Sequence, residues 1–204
     1  MGQQNDFKEG ISAYLSTVAA TLAQVNNADL DSAINVLIEA YKRGSSIYCF
    51  GNGGSAATAS HMLNDFNKGI SCKLNKKFNF YCLNDNVAIL TALANDVGYS
   101  FVFSKQLEGR LLADDLIIAI SGSGNSANVI QAVEYAHACG CKVIGMTGYD
   151  GGRLGQIADY HMHVPSYDIK IVEDVHMIFN HMMVKLLCQA LSDVDHDRHG
   201  GENI

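Results

Sequence analysis

Three short stretches gather the side chains able to do chemistry. In "FGNGGSAATASHMLND", Asn52, Gly53, Gly54 and Ser55 follow an apolar run, and His61 and Asp65 stand four positions apart a little further on. In "ISGSGNSANVI", Ser121, Ser123 and Ser126 surround Gly122 and Gly124. In "VEDVHMIFNHMM", Glu173, His176 and His181 share one segment. Residues i and i+4 lie on one face of a helix, so His61 and Asp65 are spaced as two ligands of a single metal ion, or as an ordinary polar helix face. The serines put hydroxyls and free backbone N–H groups at the mouth of a helix, where the positive end of the dipole favours an anion. That is a phosphate cradle without a lysine. Asn125 and Ser126 are expected to cap the same helix, yet a cap needs one such residue, and three serines and two glycines crowd six positions here.

The two loops resemble each other, and both satisfy G-x-G-x-x-A, through Gly51, Gly53, Ala56 and through Gly122, Gly124, Ala127. This loose dinucleotide fingerprint also wants an acidic residue roughly 20 positions on to hold a ribose. After the first loop that region reads "SCKLNKK"; after the second, Asp150 falls too far on, past the end of its strand. No G-x-x-x-x-G-K-[ST] is present either, so the nucleotide P-loop is excluded.

These loops need strands to launch them and helices to receive them. Between Asp6 and Arg43, Phe7, Ile11, Leu15, Val18 and Leu22, then Leu30, Ile34, Leu37, Ile38 and Tyr41, recur at helical spacing on either side of "NNAD". This predicts an N-terminal helical hairpin over 1–43. Short apolar runs at 47–50, 80–83, 115–120, 142–147 and 160–164 then alternate with segments long enough for helices. Such alternation predicts an α/β fold: a five-stranded parallel sheet, flavodoxin- or Rossmann-like, with helices on both faces. A last helix is expected over 171–191, followed by a polar, mobile tail at 192–204 in which His196 and His199 are merely solvated.

The chain has 204 residues, 48% of them hydrophobic, which suits one domain over 1–204. Its 14 Lys and Arg against 21 Asp and Glu leave a net charge of −7 and no general attraction for a nucleic-acid backbone. The start lacks the basic-then-apolar pattern of a secretory signal, and no apolar run approaches the ~18 residues of a membrane span. Six cysteines without CxxC spacing fit a reducing compartment, so a cytoplasmic protein is expected. The "CGC" at 139–141 falls where a helix gives way to a strand and is read as structural.

Taken in order, "GNGGSAATASHMLNDF", "ANDVGYSFVFSKQ", "ISGSGNSANVI", "VIGMTGYDGGRL" and "VEDVHMIFNHMM" resemble the sugar isomerase (SIS) domain family, and within it the bacterial phosphoheptose isomerases. The resemblance covers nearly the whole chain. It implies a homotetramer with active sites at subunit interfaces, and conversion of the sugar phosphate sedoheptulose 7-phosphate to an aldo-heptose 7-phosphate, assisted by zinc. Carried over by position, the phosphate loop falls on Ser121 to Ser126, with Gly122 where the family has Thr. Asn52, Gly53, Gly54 and Ser55 match the first substrate loop, and Asn95 with Asp96 match a pair lining the sugar. The zinc ligands fall on His61, Asp65, Glu173 and His181, with Asp65 in place of Glu and Glu173 in place of Gln. Asp65 and His181 are the implied acid–base pair, His181 being the proton carrier and Asp65 its partner.

Glu173 and His181 are eight residues apart, about 12 Å along a straight helix, too far for one ion. They are therefore expected to reach a site from different subunits, unless Glu173 precedes the helix; His176 is expected on an interface or helix face. The competing class is a non-catalytic SIS-domain binding or regulatory protein, for which zinc and turnover are the discriminators.

Overall fold

The computed structural model describes residues 6–74 and 76–199. Two helices open it, α1 (Lys8–Leu22) and α2 (Asn27–Arg43). The α2 boundaries are set by side chain and backbone: Asn26 Oδ1 accepts from the Ala28 N–H at 3.0 Å, and Gly44 takes the left-handed φ of +80° that closes the helix. On α1 the predicted apolar stripe divides. Val18 and Leu22 pack on the core, whereas Phe7, Ile11 and Leu15 are exposed.

Five parallel strands follow: β1 (Ser46–Gly51), β2 (Asn79–Cys82), β3 (Leu116–Ser121), β4 (Lys142–Thr147) and β5 (Tyr160–His163), in the order β2-β1-β3-β4-β5. Each lies within a residue or two of its predicted run. Because successive side chains alternate across a strand, β1 sends Ile47 and Cys49 into one core and Tyr48 and Phe50 into another. The first core is closed by α2, α3 (Gly54–Asn64) and α8 (Ile169–His199). The second is closed chiefly by α5 (Ser104–Leu107), α6 (Ala127–Ala138) and α7 (Gly152–Ile157), with α4 (Val87–Asp96) at its edge. Strand β3, covered on both faces, is buried at all six positions, LIIAIS.

The strand order reverses between β1 and β3. In open parallel sheets the crevice at the carboxyl ends of two such strands is where ligands bind. Here the loop at 51–55 leaves β1 and the serine loop at 121–126 leaves β3, side by side. Helix α8 is longer than its apolar register suggests: it continues to His199, through most of the segment expected as a tail, and residues 200–204 lie outside the described residues. Among the described residues no helix is long and apolar enough to cross a membrane, and all six cysteines are free.

Candidate active site

The two glycine loops enclose a cavity of about 190 Å³, lined by Asn52 and Ser55 from the first and by Ser121, Gly122, Ser123 and Ser126 from the second. Glu173 and Tyr149 complete its wall. Backbone geometry builds this end. Gly124 has φ +67°, and a Cβ there would run into the Gly151 carbonyl; a Cβ on Gly122 would strike Ile169. The loop is fastened by Gly148 N–H to the Gly122 carbonyl at 2.8 Å and Leu154 N–H to the Gly124 carbonyl at 2.8 Å.

Ser126 occupies the N-cap position of α6, but its hydroxyl makes no capping bond; it pairs instead with the Ser121 hydroxyl at 3.2 Å. Asn125 does not cap either: its amide donates to the Ser123 carbonyl at 3.0 Å and accepts from the Arg153 N–H at 2.9 Å. The expectation that these two residues cap the helix is thus corrected. Leaving the cap unmade keeps hydroxyls and amides at the helix mouth available to an anion.

The second group lies at the C-terminal end of α3 and part-way along α8, two helices that start together at the cavity and run side by side. A Cβ on Gly54 would strike the Glu173 carboxylate, which marks how closely the two helices meet at the cavity. At the other end His61 Nε2 is 3.2 Å from Asp65 Oδ2 and 3.2 Å from His181 Nε2, and His181 Nε2 is 3.9 Å from the same Asp65 oxygen. Asp65 begins a π-helical turn, Asp65–Ile70, that widens the end of α3. Its Oδ2 also accepts from Asn180 Nδ2 at 2.7 Å, on a side chain that is fully buried. His61 and His181 are exposed, so the cluster is fixed from below and open above.

The donor set fits zinc. Two imidazole nitrogens and one carboxylate oxygen with these separations leave a point about 2 Å from all three, the ordinary zinc–ligand distance. Three protein ligands with an open position is the arrangement of a catalytic rather than a structural zinc site. Glu173 is not among the residues whose ligand atoms converge there.

The SIS domain family model matches residues 13–148. The phosphoheptose isomerase of Aliarcobacter butzleri is 36% identical over 180 residues, covering 88% of this chain and 94% of that protein. This chain belongs to the phosphoheptose isomerase family. That of Aquifex aeolicus is 35% identical over 181 residues, 89% of this chain and 92% of its own. The phosphoheptose isomerase structure from Neisseria gonorrhoeae superimposes with a TM-score of 0.81 at 29% identity, covering 89% of this chain and 98% of that one. The Francisella tularensis enzyme gives 0.84 at 26% identity, with 91% and 100% covered.

The residues carried over from the phosphoheptose isomerase pattern fall into three places. Asn52, Ser55, Ser121, Gly122, Ser123, Ser126 and Glu173 line the cavity, with Gly53 at the N-cap of α3 and Gly54 its first residue. His61, Asp65 and His181 form the cluster. Asn95 and Asp96 reach neither: they are exposed at the end of α4, where Asn95 Nδ2 donates to Asp96 Oδ1 at 2.8 Å. Glu173 does not precede the helix but is the fifth residue of α8. His176 is not on a surface. It is buried and bonded to the Thr147 carbonyl at 3.1 Å, and burial pushes its imidazole down to about 4.

The motifs do not single out Asn128, Asn180 or Tyr149. A signal for the first two exists: Asn128 shares the buried stripe of α6 with Ala132 and Ala136, and Asn180 that of α8 with Val172 and Phe179. A polar residue on an apolar stripe must find a partner: Asn128 does so through both ends of its amide and Asn180 through Nδ2, its buried Oδ1 having none among the described residues. Tyr149, non-glycine with φ +52°, has no such signature.

Proposed function

We propose that this chain is an aldose–ketose isomerase that converts sedoheptulose 7-phosphate to D-glycero-D-manno-heptose 7-phosphate through an enediol. The observation that carries the reading is the pairing of the serine-lined cavity with the His61–Asp65–His181 cluster further along the same two helices. Ser55 and His61 are six residues apart on α3, about 9 Å of helix. A seven-carbon sugar with a terminal phosphate spans on the order of 10 Å on ordinary C–C bond lengths. A phosphate held by Ser121, Ser123, Ser126 and the α6 N-terminus therefore places the first two sugar carbons near the cluster.

The reaction moves a proton between adjacent carbons and their oxygens, which requires a base, an acid and positive charge near the oxygens. Oδ2 of Asp65 is committed to Asn180 and His61, so Oδ1, which takes only a long 3.4 Å bond from exposed Asn64 Nδ2, is the oxygen placed to exchange a carbon-bound proton. In the metal-free chain His181 Nε2, on the open side, exchanges protons with the sugar oxygens as partner acid; the same nitrogen is taken when it holds a metal ion. His61, Asp65 and His181 are the residues that would hold zinc, which when bound supplies the charge that otherwise falls to a protonated imidazole. Glu173, in the cavity wall, faces the sugar rather than the metal.

A homotetramer with sites completed between subunits is part of the same reading. Two observations support it: Asn95 and Asp96 stand outside the site of a single chain, and α1 leaves Phe7, Ile11 and Leu15 uncovered. The acidic chain, with no attraction for nucleic acid, fits a cytoplasmic enzyme of small phosphosugars.

The test is an assay of purified protein with sedoheptulose 7-phosphate, alongside metal analysis and sedimentation. Turnover with about one zinc per chain is the expected result. Binding of the sugar phosphate with neither zinc nor turnover would make the chain a binding protein on the same fold.

A further inference from the structure

Behind the cavity, three side chains from different segments form a closed hydrogen-bond network. Val129 N–H is shared between the Ser126 carbonyl and Asn128 Oδ1, both at 3.0 Å, and because an N–H facing an NH2 group is repulsive this favours oxygen at that end of the Asn128 amide. Asn128, only 2% exposed, then pairs reciprocally with Asn52: Asn52 Nδ2 donates to Asn128 Oδ1 at 2.8 Å, and Asn128 Nδ2 donates to Asn52 Oδ1 at 2.9 Å. The Tyr99 hydroxyl donates to the same Asn52 oxygen at 2.8 Å. Both acceptor positions of Asn52 Oδ1 and one of its two N–H donors are therefore taken. What Asn52 has left for the cavity it lines is a single N–H.

We propose that Asn128 and Tyr99 are positioning residues that lock the Asn52 amide so that it offers the cavity a donor, and that this donor binds an acceptor oxygen of the sugar phosphate. The inference rests on the cavity being the sugar-phosphate site proposed above, and adds how its polarity is set. An unlocked Asn52 can rotate and turn its oxygen toward the cavity, which faces a phosphate oxygen with another acceptor. The polarity is set by a backbone N–H of α6 that Asn128 shares with the Ser126 carbonyl, passed through Asn128 and held by Tyr99. The cavity is the phosphate end, away from the reacting carbons, so the contact is equal in ground and transition states and is read in binding rather than in kcat.

The experiment is a double-mutant cycle on the full chain, reading the calorimetric Kd for sedoheptulose 7-phosphate together with kcat and KM. Tyr99→Phe is expected to weaken binding about threefold to tenfold and Asn128→Leu about tenfold or more, with KM rising in step and kcat within about twofold. In an Asn52→Ala background neither change should weaken binding further, since the group they orient is gone. Losses that add to that of Asn52→Ala, or a Tyr99→Phe protein that binds like wild type, would overturn the proposal. If Asn128→Leu does not fold, Tyr99→Phe, on a ring 60% exposed, completes the cycle alone. A wild-type protein that binds without turning over defeats the isomerase reading and leaves the cycle decisive; one that binds no sugar phosphate defeats both.

Discussion

The two ends of the α3–α8 pair are built from different materials. At the cavity end, backbone amides and short hydroxyls stand beside the Asn52 amide and the Glu173 carboxylate, on loops whose glycines have conformations and close approaches that admit nothing larger. At the cluster end, long side chains converge from residues 120 positions apart in sequence, and only Asp65 and Asn180 are sheltered. The first is suited to holding a fixed anion, because its donors need no rearrangement. The second is suited to acid–base work or to holding a cation, because two imidazoles and a carboxylate converge where the surface is open. Binding and chemistry should accordingly separate under mutation.

The largest effect is expected from Asp65→Ala. Removing the oxygen shared by His61, His181 and Asn180 should lower kcat about a thousandfold or more, within the reach of lost acid–base catalysis. Zinc content should fall with it. The sugar-phosphate Kd, set at the other end, should change less than about threefold; a large loss of binding in calorimetry would show that the two ends are one site energetically.

Gly124→Ala is the converse. The new Cβ needs both a left-handed backbone at φ +67° and the space of the Gly151 carbonyl, so the serine loop must shift. Affinity for the sugar phosphate should drop about a hundredfold, since a displacement near 1 Å is enough to misalign the donors. Urea melts should show a loss of about 1–3 kcal/mol, while zinc content stays at the wild-type level.

The same contrast explains what could be read without a structure. The serine loop is local: Ser121, Gly122, Ser123, Gly124 and Ser126 adjoin in sequence, and an apolar run before them fixes their place at a strand end. The five strands were equally legible, because continuous apolar runs between turn residues have few other uses. His61 and Asp65 were readable as a pair by helical spacing, but His181 joins them through α3–α8 packing, which spacing does not reveal; it was reached through resemblance to the family. The Asn125 and Ser126 caps were misread because local propensity names a cap whenever the residue type fits, whereas tertiary partners, Ser121 and Arg153, claimed both side chains. Glu173 lines the cavity of its own chain, and the ligand atoms that converge within one chain are those of His61, Asp65 and His181.

His176 ties the two ends together, since it joins mid-α8 to Thr147 at the end of β4, beside the cavity loops. Burial holds its imidazole down to about 4, with the Thr147 carbonyl bond opposing and His163 assisting. In the unfolded chain it titrates near 6.5. The unfolded state thus binds the proton first, so this contribution to stability is full above about pH 6.5 and is lost as pH falls toward about 4. The loss amounts to about 3 kcal/mol. Denaturant melts across that range should show it, and His176→Gln, which keeps an N–H for Thr147 but does not titrate, should flatten the profile. An unchanged slope in that variant would assign the acid sensitivity to other groups.

The smallest effect is the sharpest test of how the cavity end is made. A serine at an N-cap ordinarily contributes about 1 kcal/mol, which Ala removes. Asn26, whose Oδ1 does cap α2, provides the internal standard: Asn26→Ala should cost about that much. Ser126 sits at the corresponding position of α6 with its hydroxyl turned to Ser121 instead. Ser126→Ala should therefore leave stability within about 0.5 kcal/mol of wild type, the range of substitutions that break no special feature. Its KM for the sugar phosphate should nevertheless rise about threefold to tenfold, as one hydroxyl donor is lost. A full capping loss in the urea melt, with KM unchanged, would mean that Ser126 serves the helix and not the ligand, and the cavity would then have to bind its anion by backbone amides and two serines alone.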